Sequence, residues 1–226
     1  MMRSPNFGPR RDGLRPELVV LHYTAMECCE AALRRLCDPV RKVSAHYLIS
    51  ETGTIHALVG EDMRAWHAGA GAWRGAGDVN SRSIGIELAN SGAVPFAARQ
   101  IDALEHLLGG ILSRWHIPPW GVIGHSDMAP GRKPDPGPRF DWRRLALCGL
   151  SVWPAAASAM AAAPDGPRFR AAATRFGYPD TDTALLLQVV RARFCPWRTG
   201  ALGPDDMGVI LDLAARFGID PATKAP

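Results

Sequence analysis

The sequence lacks any apolar run of the roughly 18 residues that a membrane-spanning helix needs, although 47% of its 226 residues are hydrophobic. Near its N-terminus it also lacks the apolar stretch of a signal peptide, so we expect a cytoplasmic protein with no membrane partner. Its five cysteines show no Cys-x-x-Cys spacing. They therefore suggest neither a disulfide framework nor a thiolate zinc knuckle, and we expect reduced thiols.

Charge of one sign is not concentrated anywhere in the chain. The 26 Lys and Arg residues against 22 Asp and Glu give a net charge of +4. The basic residues are scattered rather than gathered into a patch, which does not favour nucleic-acid binding. The length is sufficient for one domain of ordinary size and a small second one, and no repeat of solenoid length is present.

Three short apolar segments are typical of buried strands, and two of them end at a histidine. The run Leu18-Val19-Val20-Leu21 precedes His22, and the run Gly121-Val122-Ile123-Gly124 precedes His125. Residues 83–89 form the third strand, 45–49 and 55–59 form a predicted hairpin, and 97–115 has the spacing of an amphipathic helix. This order predicts an α/β fold with a mixed sheet flanked by helices.

The segment from His125 to Trp142 is rich in proline and glycine, and we expect it to be an irregular loop. Long irregular loops inside compact domains are usually functional. This loop contains Lys133 and Asp135 close to each other. It is therefore a candidate part of an active site.

The C-terminal third has a different organisation. Residues 155–164 are rich in alanine and are predicted to link a catalytic domain, 1–154, to a helical domain, 165–226. Proline and aspartate at helix starts and glycine at helix ends predict three helices there. The helices are expected to begin near Pro167, Asp182 and Pro204.

Four features of the first 142 residues could carry chemistry together. His22 and His125 end strands, Glu87 lies inside an apolar strand, and the Lys133-x-Asp135 pair follows the last strand. A histidine at the end of a strand is more often a hydrogen-bonded structural residue than a ligand, so neither histidine alone indicates a functional site. Glu87 is more informative, because burying a carboxylate costs several kcal/mol unless it faces a cavity, a cation or water.

Two imidazoles and one carboxylate suit a catalytic zinc ion, because they leave one of its four tetrahedral positions open to water. Zinc lowers the pKa of that water to about 7. A neighbouring carboxylate can then take the proton, and a lysine can stabilise the oxyanion that forms on an attacked amide. Residues His22, His125 and Asp135 are the candidate Zn²⁺ ligands, with Glu87 as base and Lys133 as the positive partner.

Five blocks of sequence resemble the zinc N-acetylmuramoyl-L-alanine amidases, the AmpD- and AmiD-like (type-2) family. They occur in the family's order over residues 4–142: LVVLHYTAM, VSAHYLISETGTIHALV, RAWHAG, NSRSIGIELAN and GHSDMAPGRKPDPGPRFDW. The resemblance implies the same three metal ligands, and catalytic roles for Glu87 and Lys133. It further implies that Trp66, His67, Asn80 and Arg132 bind the substrate.

The reaction implied by the resemblance is hydrolysis of the amide bond between N-acetylmuramic or anhydromuramic acid and L-alanine. The expected partner is a muropeptide or anhydro-muropeptide of peptidoglycan recycling. The main alternative is a non-catalytic peptidoglycan-recognition module of the same fold, which generally lacks part of the metal site.

The C-terminal helices resemble a small peptidoglycan-binding domain. The alternative is a helical extension that packs against the catalytic domain and stabilises it or forms a wall of the peptide groove. In that case Arg191, Arg193 and Arg198 are candidate contacts for carboxylates of the stem peptide.

Overall fold

The computed structural model describes residues 2–155 and 163–220. Most of the predicted linker, residues 156–162, lies outside the described residues. The strands are β1 (Phe7–Pro9), β2 (Leu18–Tyr23), β3 (Tyr47–Ile49), β4 (Ile55–Ala57), β5 (Met63–Ala65), β6 (Ser83–Leu88) and β7 (Val122–Gly124). The helices are α1 (Cys29–Cys37), α2 (Val79–Arg82), α3 (Ala98–Trp115), α4 (His125–Met128), α5 (Trp142–Leu147), α6 (Gly166–Phe176), α7 (Thr183–Phe194) and α8 (Pro204–Phe217).

The central sheet has five strands in the order β4-β3-β6-β2-β7. Strands β3, β6, β2 and β7 are parallel, and β4 pairs antiparallel with β3 through the predicted hairpin. Strands β1 and β5 form a separate antiparallel pair. The predicted fold class, a mixed sheet flanked by helices, is confirmed.

The two faces of the sheet differ because side chains alternate along each strand. On β6, Ile84, Ile86 and Leu88 belong to one apolar core together with buried residues of α3 such as Leu104 and Leu108. The intervening residues 83, 85 and 87 point to the opposite face. The same alternation places His22 on that opposite face, because it lies beside residue 87 in the parallel register.

Helices α6 to α8 form one unit, called here the helical unit. The predicted helix starts are confirmed: Asp165 and Asp182 accept hydrogen bonds from backbone NH groups of the first turns of α6 and α7, and α8 begins at Pro204.

No described helix has the length and apolar character needed to span a bilayer. The five cysteines are free in the structure; Cys29 and Cys195 are buried, and Cys148 is exposed.

The helical unit packs directly on the sheet. One continuous core contains Val20 and Ile123 from the strands together with apolar residues from all three helices. The ring of Tyr178 meets the buried ring of Trp73 edge to face, with their centroids 5.2 Å apart. Aromatic pairs in this geometry add about 0.5–1.5 kcal/mol beyond burial. The division of the chain into a catalytic domain, 1–154, a linker, 155–164, and a helical domain, 165–226, stays a prediction.

Two expectations from the sequence were wrong. The segment after β7 is not irregular from its start, because His125 to Met128 form helix α4. Arg191 and Arg193 do not offer their charges to a peptide, because each is buried and paired, with Asp206 and Asp127 respectively. Arg198 also pairs with Asp205 and Asp206.

Candidate active site

The three predicted metal ligands meet at the carboxyl ends of neighbouring parallel strands. His22 is near the end of β2 and His125 directly follows β7, while Asp135 comes from the loop beyond α4. The Nδ1 atoms of His22 and His125 are 2.9 Å apart, and Asp135 Oδ2 lies 2.9 Å and 3.0 Å from them. All three residues are buried, and their donor atoms could hold one metal ion.

The protonation states of two of these residues also suit a metal ion. Burial lowers the pKa of His22 to about 4, so its imidazole is neutral at pH 7. Burial alone would raise the pKa of Asp135, but the close contacts of its carboxylate with His125 and His22 outweigh burial and hold that pKa well below its usual range. Metal binding requires neutral imidazole and ionised carboxylate, so these two ligands need no change of protonation.

Glu87 lies beside His22 on the face of the sheet that carries the ligands. Its Oε2 atom is buried and has no hydrogen-bond partner. Burial raises the pKa of Glu87 to about 8, and the charge of Asp135 adds to this effect while Lys133 opposes it. A carboxyl oxygen that is buried without a partner is costly in a merely structural position, so it favours a role in proton transfer.

A cavity of about 330 Å³ opens over these groups. It is lined by Glu87, the three candidate ligands and Lys133, with Trp66 and His67 on its wall. Lys133 is exposed at the rim. The structure therefore brings together every residue predicted to take part in catalysis or to bind the metal.

The other residues predicted to bind the substrate contact one short segment, residues 66–70, called here the 66–70 turn. Asn80 Oδ1 accepts hydrogen bonds from the backbone NH groups of His67 and Ala68, at 3.0 Å and 2.8 Å. Arg132 donates to the carbonyl oxygens of Ala68, at 2.7 Å, and Ala70. That Trp66, His67, Asn80 and Arg132 contact a substrate stays a prediction.

One group of residues near the site was missed by the sequence analysis. Asp127, two residues after the ligand His125, pairs with Arg193 of α7 at 2.5 Å and accepts a hydrogen bond from Tyr178 at 2.9 Å. It also accepts from the backbone NH of Gly124 at 2.7 Å. The position of Asp127, two residues after the candidate ligand His125, was its only signal in the sequence.

The comparisons with known proteins agree with this geometry. The family model described as N-acetylmuramoyl-L-alanine amidase matches residues 12–138. N-acetylmuramoyl-L-alanine amidase AmiD of Escherichia coli is 43% identical over 62% of this chain, but the match spans only 55% of that relative. The 1,6-anhydro-N-acetylmuramyl-L-alanine amidase AmpD of Citrobacter freundii is 34% identical over 63% of this chain and 85% of its own length.

Solved structures extend the likeness to the helical unit. The complex of E. coli AmiD with the substrate anhydro-N-acetylmuramic acid-L-Ala-D-gamma-Glu-L-Lys matches 93% of each chain, with 34% identity and a TM-score of 0.84. AmpDh3 from Pseudomonas aeruginosa in complex with anhydromuramic pentapeptide matches 92% of this chain and 95% of its own, with 32% identity and a TM-score of 0.83. Because the family model covers more than half of the sequence and these folds coincide, the chain belongs to the N-acetylmuramoyl-L-alanine amidase family.

Proposed function

We propose that the chain is a zinc hydrolase that cleaves the amide bond between the muramic acid and L-alanine of muropeptides. One observation carries this proposal: Glu87, whose Oε2 atom is buried without a hydrogen-bond partner, shares a cavity with a cluster of two imidazoles and one carboxylate. A site that only recognised peptidoglycan would need neither the carboxyl group nor the metal ligands.

The choice of zinc follows from the ligands and their spacing. Two histidines and one aspartate form a three-residue set of the kind that holds catalytic zinc. Tetrahedral zinc with bonds of about 2.0–2.1 Å places its ligand atoms roughly 3.3 Å apart. The three donor atoms lie 2.9–3.0 Å from one another, so a small shift of their side chains accommodates the ion.

Bound zinc would supply Lewis acidity, which makes water more acidic and the amide carbonyl more electrophilic. The positive charge of bound zinc would counter the effect of burial on the pKa of Glu87 and keep this carboxyl group ionised, so that Glu87 can act as general base and accept a proton from the attacking water. As the C–N bond breaks, the same carboxyl group donates this proton to the nitrogen of alanine, which leaves as a neutral amine. Lys133 at the rim faces the negative charge that develops on the carbonyl oxygen and stabilises it.

Replacing Lys133 by alanine is expected to lower kcat by about 10²- to 10³-fold, which is the usual cost of losing one donor to an oxyanion. The bound metal should remain, because Lys133 is not a ligand. Steady-state kinetics and metal analysis of the purified variant test this. Lys42→Ala is the matched control, because Lys42 is also exposed and does not line the cavity. Equal rates for the two variants would exclude the proposed role of Lys133.

The substrate class is proposed from the relatives. AmpD relatives are named 1,6-anhydro-N-acetylmuramyl-L-alanine amidases, and the solved AmiD and AmpDh3 structures contain anhydromuramic peptides. We therefore propose anhydro-muropeptides as substrates, in peptidoglycan recycling. The location, expected above to be the cytoplasm, is a separate part of the proposal that cell fractionation tests.

Mass spectrometry of digests tests the proposed reaction directly. An anhydromuramyl tripeptide should yield anhydro-N-acetylmuramic acid and the free peptide, and a chelator should prevent both products from forming. A parallel digest of intact sacculi compares the soluble with the polymeric substrate. If the chain binds the muropeptide and releases no products with zinc present, it is a recognition module and the proposed hydrolysis is wrong.

A further inference from the structure

We propose that His67 and Ser83 are positioning residues that fix the tautomer of the metal ligand His22. This inference rests on the proposed function, since it concerns how the chain prepares the same metal site. In this proposal Ser83 orients His67, and His67 orients the metal ligand His22 instead of contacting the substrate.

A chain of hydrogen bonds determines where each proton lies. Ser83 Oγ is 2.5 Å from the carbonyl oxygen of Val79, which can only accept, so the hydroxyl proton is donated there. The same oxygen lies 3.2 Å from His67 Nε2 and must therefore accept from it. In a neutral imidazole with its proton on Nε2, Nδ1 is an acceptor.

His67 Nδ1 lies 3.0 Å from His22 Nε2, so it accepts the proton of His22. The Nδ1 atom of His22 is thereby left with its lone pair and faces the other ligands. The Nδ1 atom of His125 also keeps its lone pair, because the proton of this imidazole is on Nε2, which donates to the carbonyl oxygen of Ala68 at 2.9 Å. Both imidazoles are thus held through the 66–70 turn.

These assignments make the site specific for a cation. Two Nδ1 lone pairs and a carboxylate oxygen of Asp135 face one another at 2.9–3.0 Å, and the hydrogen bonds elsewhere leave no imidazole proton between them. Three electron-pair donors at this separation repel one another unless a positive ion lies between them. Hydrogen-bond partners of metal-binding histidines orient the ring in this way and raise metal affinity.

The sheet and the 66–70 turn are shaped for this arrangement. The ring of His67 lies against Gly85 of β6, where a Cβ atom would come within 2.4 Å of the ring. Any larger residue at 85 would displace His67 from Ser83 and His22. Asn80 and Arg132 hold the backbone of the turn through the contacts described above, so they act on the same ligands indirectly.

A comparison of Ser83→Ala with Ser81→Ala tests the proposal. Both serines are fully buried and lie two residues apart, but Ser81 accepts from the backbone NH of Arg11 and has no contact with the histidines. Competition with a chromophoric chelator measures the zinc dissociation constant of each full-length protein. We expect Ser83→Ala to weaken zinc binding by about 10- to 100-fold, the usual effect of losing such a partner. Ser81→Ala should stay within about 2-fold of wild type.

A second pair of variants covers the case in which Ser83→Ala does not fold. His67→Phe removes the acceptor for His22, whereas His67→Asn can place an amide oxygen near the position of Nδ1. We expect the Co²⁺ absorption spectrum to change in His67→Phe and to be largely restored in His67→Asn. Equal zinc affinity in the two serine variants, or an unchanged spectrum in His67→Phe, overturns the proposal. Failure of the wild-type chain to bind zinc would instead overturn the proposed function.

Discussion

Replacement of Glu87 by glutamine is expected to lower kcat by about 10²- to 10⁴-fold, the range attributed to a general acid–base residue. The amide keeps the size of the side chain but cannot accept the proton of the attacking water. Metal content should be unchanged, because Glu87 is not among the three ligands. The melting temperature should stay the same or rise, because the variant removes a buried carboxyl group whose Oε2 has no partner.

The matched control is Glu61→Gln. Glu61 is also a partly buried carboxylate, but it accepts hydrogen bonds from Tyr47, Arg114 and Trp115 and does not line the cavity. This variant should lose stability and keep its kcat, the opposite of the result for Glu87. A Glu87→Gln protein that turns over saturating substrate at near wild-type rate would show that another group is the base.

Replacement of Arg193 by alanine is expected to lower the free energy of unfolding by about 3–5 kcal/mol, the usual cost of breaking a buried ion pair. Its partner Asp127 is 1% exposed, so the carboxylate would be left without a counter-charge in the core. Arg193 also donates to the carbonyl oxygen of Val122 at 2.9 Å and lies over the ring of Trp142. Urea denaturation of the full-length variant measures the effect.

Arg170→Ala is the control for this experiment. Arg170 is in the same helical unit and pairs with Asp180, but both side chains are exposed, so the loss should be at most about 1 kcal/mol. A chain ending after Pro154 removes the helices altogether and should lose cooperative unfolding, because its core is shared with them. A truncated protein with wild-type stability and wild-type kinetics on soluble muropeptides would favour a separate tethering domain.

Much of the site could be predicted from local sequence patterns. A short apolar run that ends at His22 predicts a buried strand, and parallel strands bring their carboxyl ends to one edge of the sheet. The alternation in residues 83–89 separates Glu87 from its isoleucine neighbours and places it on the ligand face. These inferences need only the period of a strand and the cost of burying a charge.

The rest depends on contacts between residues that are far apart in the chain. Arg191 and Arg193 look like part of a solvated basic face, because nothing nearby shows that α7 is buried on most of its sides. The partner of Arg193 is 66 positions away. In the sequence Ser83 is an ordinary strand residue, and only the structure shows that its hydroxyl group lies within hydrogen-bond distance of His67. No periodic pattern encodes such pairings.

Titration of the metal-free chain with zinc tests the central claim most directly. Hydrolysis of an anhydromuramyl tripeptide should be absent at first, should rise in proportion to added zinc, and should stop rising at one equivalent per chain. The Asp135→Ala protein should gain little activity, because one of the three ligands is missing. Full turnover by the metal-free chain, or equally tight zinc binding by Asp135→Ala, would contradict the account.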